Sequence, residues 1–125
     1  MKLHYEMQES KEVVMVRAVG RMVRSGELDA FCEIVTQFEG ARIVVLDLSE
    51  VEMMDGGGLG ALVYLRRWAT EHGVQLKLAS PSHFVYELLE RTGLASRFDI
   101  SSLEEAVTVL LMAGERPPRG YALAS

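Results

Sequence analysis

Apolar and polar residues change period several times along the chain, and each change marks an element. Leu3, Tyr5 and Met7 alternate with His4, Glu6 and Gln8. After the polar break Glu9-Ser10-Lys11 a second extended stretch runs from Val13 to Val19, so the first element is an antiparallel hairpin. From Gly26 the spacing becomes helical, with Leu28, Phe31, Cys32, Val35 and Phe38 on one face and Glu27, Asp29, Glu33 and Gln37 on the other. Ser25 is placed to cap that helix. Ile43-Val44-Val45-Leu46 is an unbroken aliphatic run, the pattern of a strand covered on both faces, and is expected to be the central strand.

A loop is expected from Asp47 to Asp55. A second helix follows from about Gly58 to His72, stopped by Gly73, and then a short strand from Gln75 to Ala79. Ser82 can cap a third helix with Val85, Leu88, Leu89 and Thr92 on one face and Gly93 at its end. A brief strand near Phe98 comes next, and Ser102-Leu103-Glu104-Glu105 forms a capping box that opens a fourth helix. The order β-β-α-β-α-β-α-β-α predicts an α/β domain with a small mixed sheet of four to five strands and about four helices. The ordered domain is expected to span residues 1–113. The stretch 114–125, with Pro117-Pro118 between Arg116 and Arg119, lacks a periodic apolar face and is expected to be a flexible tail.

Composition narrows the class. At 125 residues the chain is one domain long, and 49% apolar with 25% charged residues is the balance of a chain that folds alone. The formal charge of −5, with Lys and Arg scattered, argues against nucleic acid. Cys32 is the only cysteine, which excludes an intramolecular disulfide and fits a reducing compartment. There is no signal-peptide pattern at the N-terminus and no apolar run of membrane-spanning length, so a cytoplasmic protein without direct membrane insertion is expected.

Chemistry concentrates in one segment. Asp55-Gly56-Gly57-Gly58-Leu59-Gly60 holds four glycines in five residues, which implies tight backbone geometry, close approach by another chain, or both. Asp55 can cap the amides of the following helix. Gly56 to Ala61 formally satisfies a dinucleotide-type G-x-G-x-x-A pattern. However, the preceding loop is too long, no acidic residue ends the next strand, and no Lys or Arg occurs from Ile43 to Leu65 while Asp47, Glu50, Glu52 and Asp55 are acidic. An anion would be repelled, and a basic protein surface attracted. On the second helix Leu62, Leu65 and Ala69 face inward and Val63, Tyr64 and Arg67 outward beside the glycines.

Other candidates carry less. His4, His72 and His83 have no i, i+4 partner, so no metal site is expected, and no cofactor. Cys32 reads as a core residue. Ser49 reads as structural, one of Met53 and Met54 should face outward, and Arg66 and Arg67 could meet Glu71 or Thr70.

Asp47-Leu48-Ser49 followed by Asp55-Gly56-Gly57-Gly58-Leu59-Gly60, with Leu88-Leu89, Gly93-Leu94 and Phe98 downstream, resembles the STAS domain, named for sulphate transporters and anti-sigma factor antagonists. In that family the second motif is D-S-S/T-G-L-G, and in anti-sigma factor antagonists its first serine is phosphorylated by a kinase that is also the anti-sigma factor. The resemblance places that serine at Gly56 and the next hydroxyl at Gly57, so no phosphorylation is expected there. It implies a non-enzymatic, cytoplasmic protein-binding module in signalling and transcription regulation. Its partner would be an anti-sigma factor/serine kinase or related regulator, bound through Asp55, Gly56, Gly57, Gly58, Val63, Tyr64 and Arg67. The alternatives it implies are an accessory subunit of an ABC-type membrane transporter and a non-phosphorylated scaffold. Self-association into a homodimer stays open.

Overall fold

A computed structural model describes residues 4–9, 12–102, 104, 105 and 108. Strand β1 (His4–Glu9) pairs antiparallel with β2 (Val13–Met22), the expected hairpin. From there every connection is a parallel crossover: helix α1 (Gly26–Thr36), strand β3 (Ile43–Met54), helix α2 (Gly56–His72), strand β4 (Gln75–Ala79), helix α3 (His83–Arg91), a short 3₁₀ turn at Ala95–Arg97, and strand β5 (Asp99–Ser101). The five strands lie in sequence order, β1-β2-β3-β4-β5, so β3 is central as its aliphatic run implied.

Alternation along each strand sorts the core into two faces. Val14, Val16, Val44, Leu46, Leu48 and Leu78 point to the side where Leu28, Phe31 and Val35 of α1, Leu62, Leu65 and Trp68 of α2, and Val85 and Leu89 of α3 are buried. Val13, Met15, Ile43, Val45 and Ala79 point to the other side and are buried too. The three described helices thus share one face of the sheet.

Four local expectations change. Helix α1 stops at Thr36, which leaves Phe38 beyond it, half-buried against the core. The segment expected as a loop from Asp47 continues as strand to Met54, because its polar residues are accommodated. Asp47 is fully buried and accepts from Arg17 Nε at 3.0 Å, while Ser49, Glu50, Glu52 and Met53 take the solvent side. Register shifts between Arg17 and Val19 and between Gly20 and Arg21 stagger this extension, so its buried positions recur every third residue at Leu48, Val51 and Met54. Ser82 precedes α3 but its hydroxyl donates to the Val51 carbonyl (2.7 Å) instead of capping, and exposed Thr92 follows the helix.

At the far end the capping box forms: Ser102 N donates to Glu105 Oε1 (3.1 Å) and Glu105 N to Ser102 Oγ (3.0 Å). The body of the expected fourth helix and the 114–125 tail lie outside the described residues.

Candidate functional site

Helix α2 starts at Gly56, two residues before the expected Gly58, so the glycines form its first turn and are not a loop ahead of it. Asp55 is the N-cap in extended conformation, and its side chain accepts from Gly58 N at 3.0 Å. The same carboxylate accepts from Arg24 N through both oxygens, at 3.2 and 3.1 Å. The Gly58 and Arg24 amides hold the Asp55 carboxyl below its ordinary range by favouring the charged form. In return Asp55 N donates to the Met22 carbonyl (3.4 Å). The start of α2 is therefore tied to the end of β2, and Ser25 locks the next residues by accepting from Leu28 N (3.1 Å) and donating to the Val23 carbonyl (2.9 Å).

That tie explains two of the four glycines. A Cβ on Gly58 would collide with the Met22 carbonyl oxygen and come within 2.6 Å of Met54 Cγ. One on Gly57 would lie 2.8 Å from Arg24 Cβ and 3.0 Å from its Cα. Both glycines are where backbone passes close to backbone. Gly56 and Gly60 are different: a Cβ at either would meet nothing within 4 Å. Internal packing gives no reason for their lack of a side chain, although each weakens the helix.

Gly56, Gly60, Val63 and Arg67 fall at i, i+4, i+7 and i+11, a single stripe of α2. Val63 is 37% and neighbouring Tyr64 53% exposed, and Arg67 is exposed as well. Met53, at the end of β3, adds an apolar side chain at 41% exposure and accepts from Arg21 Nη2 at 3.1 Å, while Met54 is buried. The structure thus groups Asp55 to Gly58 at the head of α2 and leaves Val63, Tyr64 and Arg67 on its solvent side.

The electrostatic expectation needs correction. Asp47 adds no surface charge, since it is buried against Arg17 and accepts from Ser49 N (3.0 Å) and Ser49 Oγ (2.7 Å). Arg21 approaches the site from β2 and Arg24 from the segment just after it, both far away in sequence, so its cationic side was invisible in the stretch from Ile43 to Leu65. Glu50, Glu52 and Asp55 remain exposed.

The set-aside residues also find places. Arg66 Nε donates to the Arg97 carbonyl (2.8 Å) and not to Glu71 or Thr70. His72 bonds the Trp68 carbonyl through Nδ1 (2.8 Å). Cys32 is half-buried, and desolvation together with Asp29 pushes its thiol up to about 11. Sequence reasoning missed Met22 and Arg24 because they act through their backbone, and missed the exposed Phe84 and Tyr86 of α3, 47% and 41% accessible. Among the described residues no helix is long and apolar enough to cross a membrane.

The STAS domain family model matches residues 4–107, which takes in this strand and the glycine-opened helix. The chain belongs to the STAS domain family. Solved structures share its fold. The anti-sigma factor antagonist SpoIIAA of Bacillus in its unphosphorylated form superposes with a TM-score of 0.72 at 16% identity, covering 89% of this chain and 97% of that one. An anti-sigma factor antagonist from Mycobacterium paratuberculosis gives 0.74 at 18% identity, covering 88% and 95%. A sulfate transporter family protein from Wolinella succinogenes gives 0.69 at 18%, covering 80% and 85%. This STAS domain therefore resembles anti-sigma factor antagonists and a transporter-family protein alike in fold.

Proposed function

We propose that this STAS domain is a non-enzymatic protein-binding module that docks an anti-sigma factor/serine kinase or related regulator through the head and outer face of α2. Asp55, Gly56, Gly57, Val63, Tyr64 and Arg67 make the surface, while Gly58, expected among them, is buried against the Met22 carbonyl and Met54 and supports the turn from within. The observation that carries the reading is the bare stripe: Gly56 and Gly60 sacrifice helix stability without relieving any internal contact, which is understandable if another chain comes close to the α2 backbone. Exposed Val63 and Tyr64 supply apolar contact beside it. With glycine at 56 and 57 there is no hydroxyl at the head of α2 to phosphorylate, so binding would be constitutive and would act by sequestering the partner.

The test pairs the protein with each anti-sigma factor/serine kinase encoded in its source genome. One pair should co-purify, and Gly56→Arg or Tyr64→Glu should abolish capture while the fold is kept. Capture unaffected by both substitutions would sink the proposed face. Incubation with that kinase and ATP should leave the mass unchanged. Phosphate on Ser49 would overturn the unswitched reading. Capture by the ATPase subunit of a transporter instead would select the accessory-subunit alternative.

A further inference from the structure

Phosphorylation is closed to the head of α2, which carries no hydroxyl at positions 56 and 57, but another modification is open beside it. Met53 lies two residues before the cap Asp55 and is 41% exposed, whereas Met15, Met22 and Met54 are buried. Its sulfur lies 3.1 Å from Nη2 of Arg21, the residue opposite it in the register of β2 and β3. We propose that Met53 is a site of reversible oxidation by peroxide, that Arg21 holds the sulfoxide so formed, and that the sulfoxide loosens the docking face. The loosening rests on reading α2 as a docking helix. The oxidation and the hold by Arg21 do not.

The chemistry balances with peroxide as the only co-reactant. A lone pair of the thioether sulfur attacks one oxygen of hydrogen peroxide, the O–O bond breaks, and the other oxygen leaves as water after taking the proton of the first. Sulfur loses two electrons and peroxide gains them. Exposure admits the oxidant to Met53, and burial denies it to Met15, Met22 and Met54. Arg21 decides what becomes of the product. A thioether is a weak acceptor, whereas a sulfoxide oxygen carries partial negative charge, so a guanidinium already in contact gains a stronger hydrogen bond on oxidation. Arg21 has the donors to spare: it forms no ion pair among the described residues, and of its five N–H groups the sulfur engages one. The same contact makes the two lone pairs of the sulfur unequal. The one facing Arg21 is occupied and oxygen goes to the other, so one of the two sulfoxide epimers is formed in excess. At the surface a flexible apolar side chain becomes a polar one tied to β2, which suits an apolar partner contact less well.

The experiment treats the full-length protein with limiting hydrogen peroxide and maps the added oxygen by peptide mass spectrometry. Met53 should gain it before Met15, Met22 and Met54. The two methionine sulfoxide reductases, each acting on one epimer, then read the stereochemistry: one should reverse most of the Met53 oxidation and the other little. In Arg21→Gln the two should reverse equal shares, and Arg21→Lys, which keeps a donor, should retain part of the excess and serves if Arg21→Gln alters the thermal melt. The Arg21 Nε–H resonance should shift on oxidation and stay in place in Met53→Leu. Oxidised protein should bind the captured regulator about tenfold more weakly, the scale of setting a polar oxygen into an apolar contact, and the reductase should restore binding. Met53→Leu, of nearly the same volume, should bind equally with or without peroxide. Oxygen reaching the buried methionines as early as Met53, or equal epimers with Arg21 in place, would overturn the site. Full binding by the oxidised protein while Tyr64→Glu still abolishes capture overturns the loosening and leaves the docking face. Capture of no regulator at all removes the loosening together with the docking reading, and the epimer ratio still decides the site.

Discussion

Alanine placed at the four glycines of α2 in turn should divide them into two classes of opposite sign. At Gly60 the new methyl meets nothing within 4 Å and φ is ordinary helical, so only the backbone term acts. Alanine is better than glycine by about 0.8–1.0 kcal/mol in a helix interior. Unfolding entropy of about 2.1 cal/mol/K per residue amounts to roughly 0.26 kcal/mol/K for a chain this long, so Gly60→Ala should raise Tm by about 3–4 °C. Gly56→Ala, at the first helical position, should gain less. At Gly58 the methyl is driven into the Met22 carbonyl and Met54 Cγ. Overpacking of this kind costs about 1–3 kcal/mol, which outweighs the helix gain and should lower Tm by several degrees. Gly57→Ala should fall between, because it pushes on Arg24 at 2.8 Å and disturbs the amide that Asp55 accepts from. Differential scanning calorimetry of the four variants measures the pattern. A Gly58→Ala protein as stable as Gly60→Ala would refute the packing account of the glycines. In the docking model Gly60→Ala should also weaken partner capture while stabilising the protein, the opposite signs that mark a residue kept for binding.

Three further outcomes follow from other contacts. The Asp55 carboxyl is held below the ordinary 3.8, so its contribution to stability is complete above about pH 4 and is lost as pH falls through the folded value; Asp55→Asn should flatten that acid limb in pH-dependent thermal melts. Asp47→Ala strips Arg17 of a buried carboxylate 3.0 Å away and Ser49 of its acceptor, and removing one partner of such a pair costs about 3–5 kcal/mol, so urea midpoints should drop sharply. The Cys32 thiol, pushed from 9.0 to about 11, should react with a thiol reagent at pH 8 on the order of 100-fold more slowly than an unfolded control, and urea should abolish the difference.

Elements whose local preference agrees with their packing could be read from sequence. Val44 to Leu46 is aliphatic because both faces are covered, Gly73 ends α2 because its left-handed φ of 67° suits glycine, and Asp55 caps because its oxygen reaches the Gly58 amide. What failed to read were pairings across distance. The polar run from Asp47 looked like a loop until Arg17, thirty positions earlier, arrived to neutralise it. Glycine enrichment at 56–60 flagged the site, but only coordinates separate Gly57 and Gly58, pressed by β2, from Gly56 and Gly60, which press on nothing.

The sequential strand order has a consequence for how the molecule comes into being. Each strand hydrogen-bonds to the one before it, with Val13 opposite Ile43 and Ile43 opposite Gln75, so no strand has to await a partner from the far end of the chain. Closing each crossover costs a similar, modest loop entropy because that cost rises only with the logarithm of length. As the chain leaves the ribosome the sheet can grow one strand at a time, with the hairpin first. The Met22 carbonyl is then already in place when Asp55 and Gly58 emerge to meet it, so the binding surface is assembled against a finished template.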